Sequence, residues 1–397
     1  MIRKAALYIA IVTCSVFVAV AAAEIYLRLS APAQVKLPFY NHLYPFVMFR
    51  PLENASYVSQ ETFAMSHFKQ RAWHYTNGDG LRVPAAGYDL PPIKPVGQIR
   101  IAVLGGSAVQ LASTFELTLP GSLRTLLRRT YPGRDIEVIN AGIVSCISRQ
   151  SIAHLIFTVV DYHPDIVILY DGANDLVLPM TYESRPNFPY NFQTLEEAWD
   201  AHREAYEAPL AGLFVSRSFL YRSLKQRLRG GAMPPNTAAD AARGVYIGPN
   251  AMPAGKIAGD PRFVSGRVAA YLSNWKRFVE LAAVYHYRPI GVLQPAGALD
   301  PAFATPFLIR NYHLDPSGAS TWIRALTALY DEADVQLGRM RESGGGTFIS
   351  LKDFLRPANS YFWDLFHVYD EVNMTLAERI YRDARPVIEE CLSQNRK

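Results

Sequence analysis

Ile99-Arg100-Ile101-Ala102-Val103-Leu104-Gly105-Gly106-Ser107 is the stretch whose reading decides the fold. Its first six residues are too few and too β-rich for a helix and read as a buried strand. The two glycines allow a tight turn and close approach of another group to the backbone. Ser107 then stands where a following helix begins, with its N–H directed at any anion there. A serine in that place also serves as a plain helix cap. A phosphate loop fits poorly, because the pattern has neither the lysine of a Walker motif nor GxGxxG spacing.

Working outward, strands and helices alternate. Helical spacing runs over 119–131, and Ile136-Glu137-Val138-Ile139 is a second strand. Residues 148–162 are helical, and Asp165 to Tyr170 is a third strand. Residues 267–287 are helical, 289–293 form a fourth strand, and Asp315-Pro316 starts a helix reaching about 341. The glycines 344–346 precede a fifth strand at 347–351, and 372–391 is the closing helix. This alternation predicts an α/β fold: a mostly parallel sheet with helices on both faces. In such sheets the site lies beyond the carboxyl ends of the strands. Ser107, Gly142 and Asn174 each follow one of these strands within a few residues, so three separate motifs converge on one sheet edge.

The chemistry of these motifs is that of acyl transfer through a serine. Ser107 is the candidate nucleophile. The N–H groups of Ser107 and Gly142 and the amide of Asn174 are candidate oxyanion donors, each worth roughly 3–4 kcal/mol in a transition state. Asp364 and His367 are three residues apart, so the carboxylate can fix the imidazole tautomer that takes the serine proton. Taken singly, Asn140-Ala141-Gly142 and Gly172-Ala173-Asn174 also read as turns, and an isolated histidine as a surface or core residue. Asp161/His163 and Asp171/Asp175 read as structural neighbours. No CxxC or HExxH pattern and no metal-ligand spacing is present, so no metal or cofactor is expected.

The remaining chain sets the context. Met1-Ile2-Arg3-Lys4 precedes an uncharged, mostly apolar run from Ala5 to Ala23, long enough to cross a bilayer as a helix. Arg3 and Lys4 favour a cytoplasmic start, which places the rest of the chain outside. Ala21-Ala22-Ala23 also resembles a signal cleavage site, but the run continues through Ile25 to Leu29 as one helix, and an uncleaved anchor is the reading preferred. The expected domains are therefore an anchor at 1–31, an irregular extracytoplasmic approach at 32–98, and the α/β domain at 99–397 with an insertion at about 176–262. Of 397 residues, 50% are hydrophobic and 19% charged, a globular composition. The net charge of +5 is scattered, which argues against nucleic-acid binding. Three cysteines, Cys14, Cys146 and Cys391, are too few for a disulfide framework.

With these residues in view, the chain resembles the SGNH hydrolase family, the GDSL-type esterases and lipases. The likeness covers roughly 99–392. Gly105-Gly106-Ser107 is similar to the family's first block, Gly142 to its glycine block, Gly172, Asn174 and Asp175 to GxND, and Asp364 and His367 to DxxH. Gly106 departs from the pattern, since many members carry Asp there, and this form looks like a membrane-anchored bacterial subset. Asn77-Gly78-Asp79-Gly80-Leu81-Arg82 is similar to a leader seen before the domain in anchored members. The resemblance implies a flavodoxin-like three-layer α/β/α sandwich and metal-free ester hydrolysis.

Together these readings lead to an expected inner-membrane esterase, single-pass with its catalytic domain periplasmic. It would remove acyl groups, O-acetyl above all, from a cell-envelope glycan or lipid-linked substrate. The same acyl-serine also serves an acyltransferase, and the fold alone would serve a non-catalytic glycan-binding or assembly protein.

Overall fold

The computed structural model describes residues 2–30, 41–58, 73–190, 250–344 and 346–394, together with seven residues between 192 and 224. The chain divides into two compact units, one of residues 1–36 with 191–249, the other of residues 37–190 with 250–397.

In the first unit a long helix, α1, spans Ile2–Ser30. Its stretch Lys4–Tyr26 is long and apolar enough to cross a membrane, with mean hydropathy 2.4 and none of it buried by protein. Glu24, the acidic residue near its end, accepts hydrogen bonds from Ser218 Oγ at 2.8 Å and Leu220 N at 2.9 Å. Much of the insertion expected at about 176–262 lies outside the described residues, which there comprise 176–190, the seven residues between 192 and 224, and 250–262.

The second unit holds the sheet. Five strands, β6 (Ile99–Gly105), β7 (Ile136–Gly142), β8 (Ile166–Asp171), β9 (Arg288–Leu293) and β10 (Thr347–Ser350), are mutually parallel in the order β10-β9-β8-β6-β7. In chain order that is 2-1-3-4-5, a flavodoxin-like winding whose reversal point lies beside β6. All seven residues of β6 are buried. Ile99, Ile101 and Val103 face a layer containing α3 (Leu119–Thr130) and α10 (Val372–Gln394). Ala102 and Leu104 face the opposite layer, with α4 (Ser148–Phe157), α7 (Pro261–Tyr285) and α9 (Pro316–Glu342). Strand alternation sends successive side chains to opposite layers. Covering both faces makes the strand apolar throughout and contributes about 1.5–3 kcal/mol per large side chain. Arg100 is the exception: its guanidinium donates to Gln98 Oε1 (2.7 Å), Pro92 O (3.0 Å) and Tyr162 O (2.9 Å) at the start of the strand, away from the carboxyl edge.

Within the stretch 32–98, expected as an irregular approach, the described residues 41–58 and 73–98 hold short strands. They are β1 (Asn41–Tyr44), β2 (Met48–Pro51), β3 (Ser56–Val58), β4 (Trp73–Thr76) and β5 (Arg82–Val83). The last three extend the main sheet antiparallel beyond β7, through the pairing of Arg82 with Asn140. Strands of two to four residues are too short to show a period in sequence. Further helices were also not foreseen, among them the short α6 (Ala254–Ala258). α8 (Pro301–Tyr312) carries Pro306 inside it, and α5 (Ala173–Thr181) carries Pro179.

Candidate active site

Each candidate residue leaves the carboxyl edge of the parallel strands. Gly105 ends β6 at φ 153, and a Cβ there would lie 2.2 Å from Tyr170 O on β8, so only glycine lets the chain turn so close to its neighbour. The turn opens α2 (Ser107–Gln110), a single helical turn with Ser107 at its start and half-buried.

Ser107 Oγ lies 2.6 Å from His367 Nε2, and His367 Nδ1 lies 2.7 Å from Asp364 Oδ2. A tautomer with the proton on Nδ1 satisfies both contacts: Nδ1–H donates to the carboxylate and the serine hydroxyl donates to Nε2. Asp364 Oδ1 also accepts the N–H groups of Phe366 (2.8 Å) and His367 (2.7 Å), which folds DxxH into one tight turn. Trp363 N donates to His367 O at 3.1 Å, and the Trp363 indole stacks on the imidazole with centroids 5.1 Å apart and planes 13° apart. Burial alone pushes the Asp364 carboxyl up, but the adjacent imidazole and these hydrogen bonds hold it below its ordinary value. Burial alone pushes His367 down, but the Asp364 charge and hydrogen bond raise it above its ordinary value.

Asn174 sits at the start of α5. Its Nδ2 donates to Cys146 O at 2.6 Å, which leaves the second amide hydrogen available. A Cβ on Gly106 would lie 2.6 Å from that same Nδ2, so the amide rests against the backbone immediately before Ser107. Ser107, Asn174, Asp364 and His367 are thus placed at one edge of the sheet.

Gly142 reaches the same edge, but its N–H already donates to Asn140 Oδ1 at 3.1 Å. A Cβ there would stand 2.6 Å from Gln110 N, so this glycine is where β7 and α2 touch. Asn140 Nδ2 completes the junction by donating to Val109 O at 3.0 Å. Ser145, in the loop after β7, holds a left-handed φ of 64 and is half-buried.

Beneath the edge, Asp175 accepts Ser148 N (2.9 Å) and Ser148 Oγ (2.7 Å), and the Ser148 hydroxyl accepts from Asn274 Nδ2 at 2.9 Å. Burial raises both Asp171 and Asp175; the Asp175 charge raises Asp171 further, while the Ser148 hydrogen bonds and Arg267 partly offset the rise of Asp175. These groups pin the 146–148 loop, whose Cys146 carbonyl holds Asn174. Cys146 and Cys391 are both buried free thiols. Among the described residues no group of three or more His, Cys, Asp or Glu is arranged to hold a metal.

No family profile and no curated protein matches the chain. Among solved structures it is similar to a catalytic mutant of an acetylxylan esterase from Geobacillus stearothermophilus, at 14% identity and TM-score 0.38, over 73% of this chain and 96% of that one. It is also similar to a putative GDSL-like lipase from Parabacteroides merdae, at 11% identity and TM-score 0.40, over 74% and 99% of the two chains. A third likeness is to an α/β hydrolase from the metagenome of Lake Arreo, at 12% identity and TM-score 0.37, over 75% and 97%. Likenesses this distant carry no substrate over to this chain.

Proposed function

We propose that the chain is a serine esterase. The observation that carries this reading is the continuous hydrogen-bonded line from Ser107 Oγ through His367 to Asp364. As Oγ attacks an ester carbonyl, Nε2 takes its proton, and the Asp364 carboxylate stabilises the imidazolium that forms. The carbonyl oxygen gains negative charge and is met by the Ser107 N–H and the free Nδ2–H of Asn174. Gly142, whose N–H already donates to Asn140 Oδ1, acts by seating α2 against β7. Collapse expels the alcohol, protonated by His367, and leaves an acyl-serine that water then hydrolyses through the same base.

The substrate we infer is an acyl ester, O-acetyl above all, on a cell-envelope glycan or lipid-linked sugar. Two features support this: an N-terminal helix apolar enough to cross a membrane, and a first turn, Arg3-Lys4, whose charge favours a cytoplasmic start. In this reading residues 5–23 hold the chain in the inner membrane with the second unit outside.

The test is the full-length protein in detergent against acetylated oligosaccharides and short p-nitrophenyl esters, with EDTA present, with and without an acceptor sugar. Released acetate or nitrophenol supports the esterase. Acyl transfer to the acceptor without hydrolysis would replace it by a transferase, and binding without turnover by a non-catalytic role. Recovery of a soluble mature chain beginning near Glu24 would overturn the anchor.

A further inference from the structure

Arg82 ends the Asn77–Arg82 motif and is only 2% exposed. A cation this buried requires compensating partners, and its partners lie just behind the nucleophile. One guanidinium nitrogen donates to Gln110 O, the last residue of α2, and the other to Ala112 O at 3.1 Å. Helix C-termini leave carbonyls without intrahelical partners and favour a positive charge. Gln110 O closes α2 and Ala112 O lies two residues beyond it, three and five residues from Ser107. Burial pushes the guanidinium down to about 10, opposed by the Tyr57 phenol and the carboxylates of Asp370 and Glu116, so it stays charged at neutral pH.

The residues around Arg82 converge on the same place. Asn77 Oδ1 accepts the N–H groups of Asp79 (3.1 Å) and Leu81 (2.9 Å), which shapes the turn that delivers Arg82. Gly80 has φ 72, and a Cβ there would lie 2.6 Å from Pro51 O, so the turn requires glycine. Asp79 accepts from Tyr162 Oη at 2.5 Å, and Asn77 Nδ2 donates to the same hydroxyl oxygen at 2.9 Å. Downstream of the carbonyls that Arg82 holds, Ser113 N donates to Asp370 Oδ2 at 3.0 Å, three residues past His367. A continuous run of contacts therefore joins the 77–82 turn, the segment after Ser107 and the segment after His367.

We propose that Arg82 is a positioning residue for the nucleophile, and that the segment before β6 is thereby a working part of the active centre rather than a spacer. The proposal rests on the reading of Ser107 as nucleophile. Two carbonyls approached together suit the planar fork of arginine, whereas lysine offers a single point of charge.

The test uses full-length protein in detergent, with Arg82→Lys and Arg82→Met beside wild type. Three quantities are measured: kcat and KM on a short p-nitrophenyl ester, the rate of Ser107 labelling by a fluorophosphonate, and amide hydrogen exchange by peptide. In Arg82→Met, kcat and labelling should fall together by roughly 10- to 100-fold, because a misplacement near 1 Å costs on that order. KM should stay within about two-fold. Exchange should quicken in 106–116 and not in β9 or β10. Arg82→Lys should recover part of the rate, and it decides the question if Arg82→Met fails to fold. Unchanged kcat, a change in KM alone, or faster exchange spread over the whole unit would overturn the proposal and leave Arg82 as a core residue. If wild type neither turns over nor labels, the esterase reading fails, while the exchange measurement still decides whether Arg82 braces α2.

Discussion

Ser107 Oγ and His367 Nε2 stand 2.6 Å apart although 260 residues separate them in the chain. The contact exists because β6 ends at the reversal point of the sheet and the segment before α10 returns to the same edge. Four consequences can be measured.

Asn174→Ala removes an amide whose one hydrogen holds Cys146 O and whose other is free for a developing oxyanion. We expect kcat to fall by roughly 10²–10³ with a smaller change in KM. A change in KM with kcat untouched would show that Asn174 only fastens the loop.

Gly106→Ala places a methyl 2.6 Å from Asn174 Nδ2. The amide must then leave either Cys146 O or the position beside Ser107. The expected result is a kcat loss of roughly ten-fold or more from misplacement, with the melting temperature nearly unchanged. Wild-type kcat in a folded variant would separate Asn174 from the transition state.

The pH profile follows from the Asp364–His367 pair. The base must be neutral to take the serine proton, so kcat/KM should rise with pH and level off only above the pKa of His367. Burial acts to lower that pKa and the Asp364 charge more than offsets it, so the midpoint should lie above the ordinary 6.5. Asp364→Asn removes the charge and leaves the burial, so the midpoint should move down as the rate collapses. The stability signs follow the same shifts. The raised His367 contributes stability that is full below pH 6.5 and is lost as pH rises through its folded pKa. The lowered Asp364 contributes stability present above its ordinary 3.8 and lost as pH falls through its folded pKa. A midpoint that Asp364→Asn leaves in place would detach the acid limb from this pair.

Much of this was legible in the sequence, for identifiable reasons. The five parallel strands are largely buried and stand out as mostly apolar runs, interrupted by Arg100 in β6 and Glu137 in β7. The long helices α7, α9 and α10 carry a clear apolar stripe, and Asp315 caps α9 by accepting Gly318 N. The helix expected over 148–162 breaks at Thr158, where φ −146 and ψ −55 leave helical space before a short 3₁₀ turn. Prolines 306 and 179 concealed α8 and α5, because proline inside a helix reads as a breaker. The role of Arg82 was illegible because its partners are backbone carbonyls of residues 110 and 112, which have no signature in sequence. The same holds for Gly142: its neighbours Asn140 and Gln110, rather than its own type, occupy its N–H and its space.

The central claim is that Ser107 is the nucleophile served by His367, and covalent labelling tests it most directly. Full-length protein would be treated with a fluorophosphonate and the adduct located by peptide mass spectrometry. The account predicts one adduct per chain, on Ser107, forming faster as pH rises through the His367 titration. It predicts no adduct and no ester turnover in Ser107→Ala, and slow labelling in His367→Ala. An adduct on another residue, or a Ser107→Ala protein that still hydrolyses esters at the wild-type rate, would contradict it.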